Sequence, residues 1–206
     1  MEHYGFFNGD AEYGQEEFCR YFDNIYESGI AVNDDGTMNY PITIGSGKVS
    51  VGLGFSILKG FFHYNDSAAE FPLSADANLP KIYRIILSLN IAQSKTTLVA
   101  RAGTAASAPQ PPELVRTNSI YELSLGQYRV EPSGSIIRVK DERPDVTVCG
   151  ALRPKSLSEY DAAMKEYSRR FEEWFAQQQG TGWRNIYIQE TQPEGAVSGS
   201  IWIQST

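Results

Sequence analysis

The side chains able to do acid–base or metal chemistry are few in this sequence and lie far apart along it. The imidazoles belong to His3 and His63, and the thiols belong to Cys19 and Cys149. A Ser–His–acid or Cys–His site would have to use one of these histidines. A zinc site built from all four residues would lack any closely spaced pair of ligands. We therefore expect no such catalytic centre, no metal site and no cofactor.

Two short polar segments match ligand-binding loops only in part. Residues 45–48 (Gly-Ser-Gly-Lys) would be a phosphate loop only with a glycine at position 42 and a Ser or Thr at position 49, but Ile42 and Val49 stand there. Residues 33–35 (Asn-Asp-Asp) lack the alternating ligands and the distal Glu of a calcium loop. Both segments are instead predicted to form turns.

Hydrolysis of a polysaccharide would need a pair of carboxyl groups, one acting as the acid and the other as the base or nucleophile. The chain has 25 acidic residues, and no motif selects a pair among them. We therefore predict a non-catalytic protein with no catalytic residues. An enzyme that degrades cell-wall polysaccharide is kept as an alternative, to be tested by turnover of purified wall material.

Composition and charge restrict the partners. The formal net charge is −7, with no basic cluster, which disfavours nucleic acid because phosphate binding requires grouped Lys and Arg. No apolar run approaches the roughly 18 residues of a membrane span, and the first residues do not have the pattern of a signal peptide. We expect assembly in a cytoplasm, with both cysteines reduced.

Elements that would position side chains follow from the apolar periodicity. Residues 15–28 have the spacing of a short amphipathic helix. Alternating apolar residues predict one strand over residues 49–57 and another over 82–91. Shorter strands follow up to residue 139, separated by turns and by a Gly/Ala/Ser/Pro-rich stretch at 103–112 that we expect to be an exposed loop. Many short strands favour an antiparallel sandwich or a jelly-roll-like barrel over a parallel sheet.

A second helix is predicted after residue 155, because Ser156 and Glu159 have the spacing of a capping box and Gly180 marks a natural end. Its apolar residues follow a three-four rhythm, which is typical of a helical bundle interface. The rhythm favours a homotrimer, and packing on this chain's own sheet is the alternative. The predicted interface residues are Leu157, Tyr160, Met164, Tyr167, Phe171, Trp174 and Phe175.

The last segment, residues 183–206, is predicted to be a small β-hairpin that needs a neighbour to cover it. The expected fold is thus mainly β with helical extensions: an antiparallel β-sandwich or jelly-roll-like barrel, a short N-terminal helix, a C-terminal amphipathic helix and a terminal hairpin. The predicted domains are residues 1–150, 151–182 and 183–206.

A charged cluster marks the predicted exit from the β domain. Asp141, Arg143 and Asp145 alternate with other residues there. A guanidinium can bind a carboxylate and backbone carbonyls through several parallel hydrogen bonds. We interpret the cluster as structural, with Arg143 tying the last strand to its neighbours.

Several ordered segments resemble a family of small tail and baseplate proteins from phages and prophages of Gram-positive gut bacteria. The likeness spans roughly residues 5–178 and ends in a helix rich in Tyr, Phe and Trp. The segments are residues 5–8 (Gly-Phe-Phe-Asn), 18–30, 81–89, 103–105, 121–125, 141–145 (Asp-Glu-Arg-Pro-Asp) and 149–150 (Cys-Gly). The resemblance implies an N-terminal module comparable to the shoulder domain of phage receptor-binding proteins.

The resemblance further implies a virion protein of the phage tail, with other tail or baseplate proteins as partners beside its own copies. We expect a subunit of the tail tip or baseplate that acts in assembly through protein–protein interfaces. The main alternative is host attachment by a module that binds a cell-wall glycan. Exposed aromatic residues would make the glycan contacts, and the candidates are Tyr64, Trp183 and Trp202.

Overall fold

The chain folds as two structural units that divide between Lys155 and Ser156. The computed structural model describes residues 14–155, 158–181, 186–194 and 199–204. Leu157 and Trp183, both predicted site residues, lie outside the described residues, as does His3.

The described part of the first unit contains one helix and a series of short strands. A Glu17 carboxylate accepts a hydrogen bond from the Gly14 N–H at 2.9 Å and so caps the start of the helix. The helix ends earlier than the predicted residue 28, because Tyr26 turns to an extended conformation and bridges to Pro154. The elements are α1 Gln15–Ile25, β1 Gly29–Ile30, β2 Ile42–Gly45, β3 Lys48–Val51, β4 Gly54–Leu58, β5 Phe61–Asn65, β6 Ala69–Pro72, β7 Lys81–Asn90, β8 Lys95–Ala102, β9 Ile120–Val130 and β10 Ile136–Asp141.

A four-stranded antiparallel sheet with the order β10-β9-β7-β8 forms the largest layer. Its two central strands supply much of the core, and their innermost aliphatic side chains are at most 2% exposed. Complete burial of one such side chain contributes roughly 1.5–3 kcal/mol, so this layer accounts for a large share of the driving force for folding. The residues are Ile85, Leu87, Leu89, Leu123 and Leu125.

Two three-stranded sheets, with the orders β2-β3-β6 and β1-β4-β5, contribute side chains to the same core. Val49 and Val51 come from the first of these sheets and Leu58 from the second, and all are fully buried. The strand orders are open, so the described sheets do not close into a barrel. The predicted class, mainly β with helical extensions, is confirmed.

The opposite face of the four-stranded sheet is charged and yet buried. Glu122 on β9 is 1% exposed. Its carboxylate accepts hydrogen bonds from the Arg101 guanidinium at 2.8 Å, from the Val115 N–H at 2.7 Å and from the Ser88 hydroxyl at 3.2 Å. Ser88 comes from β7, the strand next to β9, and Arg101 comes from β8, the strand beyond β7. The carboxylate is therefore fully paired, as a buried charge must be.

A second buried carboxylate lies farther along this face. Glu142, 2% exposed, forms a salt bridge with Arg84 at 3.2 Å. It also accepts hydrogen bonds from Gln127 at 2.7 Å and from the Ser124 hydroxyl. Its position just after β10 brings the end of that strand back over the centre of the sheet.

The irregular segment over residues 103–119, here called the strap, is held against this charged face. Arg84 donates to the carbonyl of Pro112 at 2.6 Å, and Arg101 donates to the carbonyl of Glu113 at 3.3 Å. Pro109 is buried. The prediction of an exposed loop over 103–112 was therefore right about the lack of regular structure and right only in part about the exposure, because Thr104, Ser107, Ala108 and Gln110 are exposed whereas Pro109 is buried.

The single strand predicted over residues 49–57 is divided in two. β3 ends at Val51, β4 begins at Gly54, and Leu53 between them is 57% exposed. The interruption coincides with close contacts at two glycines. A Cβ on Gly52 would lie 2.8 Å from the Pro41 ring, and one on Gly54 would lie 2.7 Å from the Tyr40 ring. The chain therefore bends at a place where the period-two pattern continues without a break.

The described part of the second unit consists of α2 Ser158–Thr181, β11 Ile186–Gln189 and β12 Ile201–Gln204. No helix in the described residues has the length and apolarity to cross a membrane. The predicted terminal hairpin is wrong, because β11 and β12 pair in parallel. Parallel neighbours need a crossover of about a dozen residues, and residues 190–200, which connect the two strands, are close to that length.

Replacing Gly54 with Ala should destabilise the first unit, because the new methyl group would collide with the buried Tyr40 ring. Overpacking of this kind costs about 1–3 kcal/mol. The measurement is urea unfolding followed by circular dichroism. Gly45→Ala is the matched control, since a Cβ there meets the Lys48 side chain at 3.5 Å and the Lys48 carbonyl oxygen at 3.8 Å, both ordinary van der Waals distances. Equal unfolding midpoints for both variants would contradict the packing at Tyr40.

Glu122 should make the stability depend on pH in the acid range. Burial alone would raise the pKa of Glu122, but the hydrogen bonds from Arg101, Val115 and Ser88 and the charge of Arg101 outweigh it and lower this pKa below 4.5. The folded state therefore binds fewer protons than the unfolded state. The contribution of Glu122 is complete above pH 4.5 and is lost as the pH falls below that value.

Glu122→Gln should lower the unfolding free energy at pH 7 by about 1–3 kcal/mol and should reduce its decline between pH 5 and pH 3. Urea titrations at a series of pH values measure both effects. Glu113→Gln, at an exposed position of the strap, is the control and should keep the decline of the parent. An undiminished decline in Glu122→Gln would show that another group causes it.

Candidate functional sites

Arg143 is the central residue of the charged cluster that the sequence predicts at the end of the β domain. Its guanidinium binds the Asp141 carboxylate with two hydrogen bonds, of 2.9 and 2.6 Å. The remaining nitrogen, Nη1, donates to the carbonyls of Met38, Asn39 and Tyr40 at 3.2–3.4 Å. The hydrogen bonds and charge of Arg143 hold the pKa of Asp141 below its usual range. One side chain thus joins the end of β10 to a segment about a hundred residues earlier.

Asp145 belongs to a neighbouring contact and does not join this pair. Its carboxylate accepts hydrogen bonds from Lys140 at 2.6 Å and from the Thr147 hydroxyl at 2.6 Å. These interactions lower the pKa of Asp145 to about 2. The structure therefore brings Asp141 and Arg143 together and gives Asp145 a separate role in the turn after β10.

A groove of about 790 Å³ lies beside Arg143 and is called the Arg143 groove. Polar side chains line one part of it, and the exposed Leu53 and Tyr64 side chains, 57% and 62% exposed, line another. Its lining residues are Asn33, Thr37, Met38, Asn39, Pro41, Gly52, Leu53, Gly54, Tyr64, Asp141, Arg143 and Pro144.

Hydrogen bonds between neighbouring side chains fix the polar part of the groove. The Asn33 side-chain amide donates to the Thr37 hydroxyl at 2.9 Å, and the Asn39 side-chain amide donates to the side-chain oxygen Oδ1 of Asn33 at 2.8 Å. The other end of the Asn39 amide accepts a hydrogen bond from the Phe55 N–H at 2.9 Å. These side chains present polar atoms in set positions, which reduces the entropy lost when a ligand binds.

Next to the groove residues Asn39 and Pro41, Tyr40 forms a partly buried polar contact with His63. The Tyr40 hydroxyl lies 2.9 Å from His63 Nδ1 and 3.1 Å from the Ser56 hydroxyl. Burial raises the pKa of Tyr40 to about 12 and lowers the pKa of His63. The imidazole is therefore neutral at pH 7 and is bonded to a phenol, whereas a catalytic histidine is commonly oriented by a carboxylate.

The cysteines and acidic residues form no ligand cluster in the described part of the chain. Cys149 is a buried free thiol, and Cys19 is a partly buried one. Burial raises the pKa of Cys149 to about 12, which disfavours the reactive thiolate. Among the described residues, no group of three or more His, Cys, Asp and Glu side chains is arranged to hold a metal ion.

In the second unit, the predicted interface residues form an exposed apolar face along the helix, called the α2 stripe. The side chains are between 41% and 67% exposed. The Phe171 ring lies 5.8 Å from the Trp174 ring and 6.1 Å from the Phe175 ring, measured between centroids. The described members of the stripe are Tyr160, Met164, Tyr167, Phe171, Trp174 and Phe175.

Several charged side chains of α2 form ion pairs with one another. Arg169 binds Glu166 at 2.7 Å and Glu173 at 2.6 Å, while Arg170 binds Glu166 at 2.8 Å. Pairs with three- and four-residue spacing support a helix modestly. These four charges are thus paired within the helix, whereas its large apolar side chains are left exposed.

The predicted glycan contacts fall in different parts of the chain. Tyr64 lines the Arg143 groove, in the first unit. Trp202 lies on β12 in the second unit and is 38% exposed, with its indole N–H donating to the carbonyl of Gln189 at 3.0 Å. Sequence reasoning did not identify Asn39 or Leu53 as groove residues. The turn at residues 33–36 could have indicated part of this surface. Nothing in the sequence showed that residue 143 lies beside that turn.

Comparison with protein-family models gives no match, and comparison with curated proteins gives none either. Among solved structures, the chain is similar to the gene 22 product of the Bacillus subtilis phage SPP1, with 15% sequence identity and a TM-score of 0.36. The match covers 48% of this chain and 76% of that one. A TM-score of this size does not establish a common fold.

Proposed function

We propose that the chain is a non-catalytic structural subunit of a bacteriophage tail tip or baseplate, which assembles as a homotrimer. The observation that carries this proposal is the α2 stripe, because a row of large exposed apolar side chains requires a partner surface. The ordered sequence segments that resemble phage tail proteins support the virion setting. The other tail proteins that would complete the assembly are further proposed partners.

The α2 stripe is large enough to contribute to such an interface. An aromatic side chain buries about 150–250 Å², and six side chains that are roughly half exposed offer about 100 Å² each on this basis. Three helices would then bury about 1,800 Å² in total, or about 600 Å² for each of the three pairwise contacts. A stable interface between two partners buries about 1,200–2,000 Å², so the stripe would supply part of each contact and other surfaces the rest. The stripe alternates by three and four residues and is widened by Phe175, which favours a bundle of more than two helices.

The double variant Phe171→Asp/Trp174→Asp should dissociate the proposed trimer, because both substitutions would place a carboxylate inside the bundle. Light scattering on a sizing column should give three chain masses for the parent and one for the variant. Ala162→Asp/Ala176→Asp is the matched control. At 100° per residue these exposed positions lie opposite the stripe, so the control should remain trimeric.

Circular dichroism distinguishes dissociation from unfolding in this comparison. The variant should keep the β-sheet signal of the first unit. A folded parent that runs as a single chain would refute the homotrimer, and equal loss of assembly in both double variants would refute the stripe as its interface.

A second candidate function, binding of a host cell-wall glycan, is favoured by the Arg143 groove. Sugars present hydroxyl groups at their edges and C–H groups on their faces. Preset amide and hydroxyl groups at Asn33, Thr37 and Asn39 suit the edges, and the exposed Tyr64 ring suits a face. In this proposal the groove holds the glycan, and α2 supplies the assembly.

Enzymatic cleavage of such a glycan has less support from the groove. A general acid needs a raised pKa, whereas Arg143 lowers the pKa of the Asp141 carboxyl that lines the groove. The second candidate function is therefore binding without cleavage. Turnover of purified wall polysaccharide tests it directly, and detectable turnover would contradict it.

Tyr64→Ala should weaken binding of cell-wall oligosaccharides about tenfold, equal to about 1.4 kcal/mol, through loss of the stacking surface. Glycan-array screening of the parent, followed by calorimetric titration of the glycans it retains, provides the measurement. Phe62→Ala is the control, because Phe62 lies on the same strand and is 69% exposed but does not line the Arg143 groove. Equal affinities for the two variants, or no retained glycan, would count against this candidate.

A further inference from the structure

The two strands of the second unit have almost the same sequence and pair with like residues side by side. β11 reads Ile-Tyr-Ile-Gln and β12 reads Ile-Trp-Ile-Gln. Their parallel register places Tyr187 beside Trp202, Ile188 beside Ile203 and Gln189 beside Gln204. Short segments of the same sequence commonly stack in this parallel, in-register way, since each side chain then packs against an identical one.

This pair of strands is incomplete by itself. A two-stranded sheet is at best marginally stable in water, and no third strand in the described residues pairs with either member. Ile188, Ile201 and Ile203 share one face by the alternation of a strand. They are 70%, 54% and 49% exposed. An apolar face is thus exposed, and no strand among the described residues covers the outer edges of the pair.

Side-chain hydrogen bonds hold the strands in this register. The Trp202 indole donates to the carbonyl of Gln189, and the Gln204 amide donates to the carbonyl of Glu190 at 3.2 Å. The Gln189 amide donates to the carbonyl of Thr191 at 2.8 Å. Because the register is fixed within one chain, the backbone groups along the outer edges have fixed positions before a second chain binds.

We propose that the outer edge of β12 pairs with the outer edge of β11 of a second copy, in the same parallel register. The partner must present an uncharged strand with the same residue order, and a second copy of this chain does so. Ile203 would lie next to Ile188 of the partner subunit. The inference rests on the proposed homotrimer, in which three such head-to-tail contacts close a ring of six parallel strands.

Crosslinking between two differently tagged full-length chains tests this contact. One carries Ile203→Cys and the other Ile188→Cys, so no chain holds both introduced thiols. After the chains are assembled together, a short thiol-to-thiol crosslinker should give several-fold more linked dimer than it gives with the parent. The parent supplies the background, since burial raises the pKa of both Cys19 and Cys149.

A register control uses Ile201→Cys in place of Ile203→Cys. Ile201 shares the face of Ile203 but pairs two residues earlier, with Ile186, so its yield with Ile188→Cys should be several-fold lower. Equal yields for the two mixtures would overturn the register. Linkage of Ile203→Cys to itself at the yield of the mixed pair would overturn the head-to-tail pairing.

Light scattering of the same parent protein separates the two proposals. A trimer without the mixed crosslink overturns the strand contact and leaves the proposed function standing. A single chain mass overturns both. The introduced cysteines replace side chains that are 70%, 54% and 49% exposed, and an unchanged circular dichroism spectrum verifies that each variant is folded.

Discussion

The pairing of two buried carboxylates with arginines decides how the first unit can be built. Glu122 and Glu142 are almost completely buried on one face of the central sheet, and an unpaired charge there would cost several kcal/mol. Arg101 and Arg84 neutralise them and at the same time donate to carbonyls of the strap. The strap therefore does not merely cover the sheet. It completes the hydrogen bonding of the charged groups, so the sheet, the strap and the residues after β10 must form together.

The same use of arginine shapes the surface of the Arg143 groove. Arg143 directs all its hydrogen bonds inward, to Asp141 and to three carbonyls. What the groove offers a ligand is then a set of fixed amide and hydroxyl groups next to the exposed Tyr64 and Leu53 side chains. A strongly charged ligand finds no unpaired guanidinium in Arg143, whereas a neutral, hydroxyl-rich ligand finds groups that match it. This balance of polar and apolar contacts is the basis of the glycan proposal.

In the second unit, in contrast, many large apolar side chains are left exposed. Arg169 pairs with Glu166 and Glu173 within α2. The large apolar side chains of the α2 stripe are exposed, as are Ile188 and Ile203 on the two strands. Such a segment gains little from folding alone, since an isolated helix or strand pair is marginal in water. Association with further copies would cover both apolar surfaces at once, which links the proposed helix bundle to the proposed strand contact.

Local pattern in the sequence was sufficient for the mainly β class, for β7 and for the long helix, because alternation and the three-four rhythm follow from the geometry of one strand or one helix. It also placed Asp141 and Arg143 at the end of the β domain. Tertiary structure alone decided the bend at Gly52, the burial of Glu122 under the strap and the parallel pairing of β11 and β12. Each of these depends on which distant segment comes to lie alongside, and a period of two or of 3.6 residues contains no information about that neighbour.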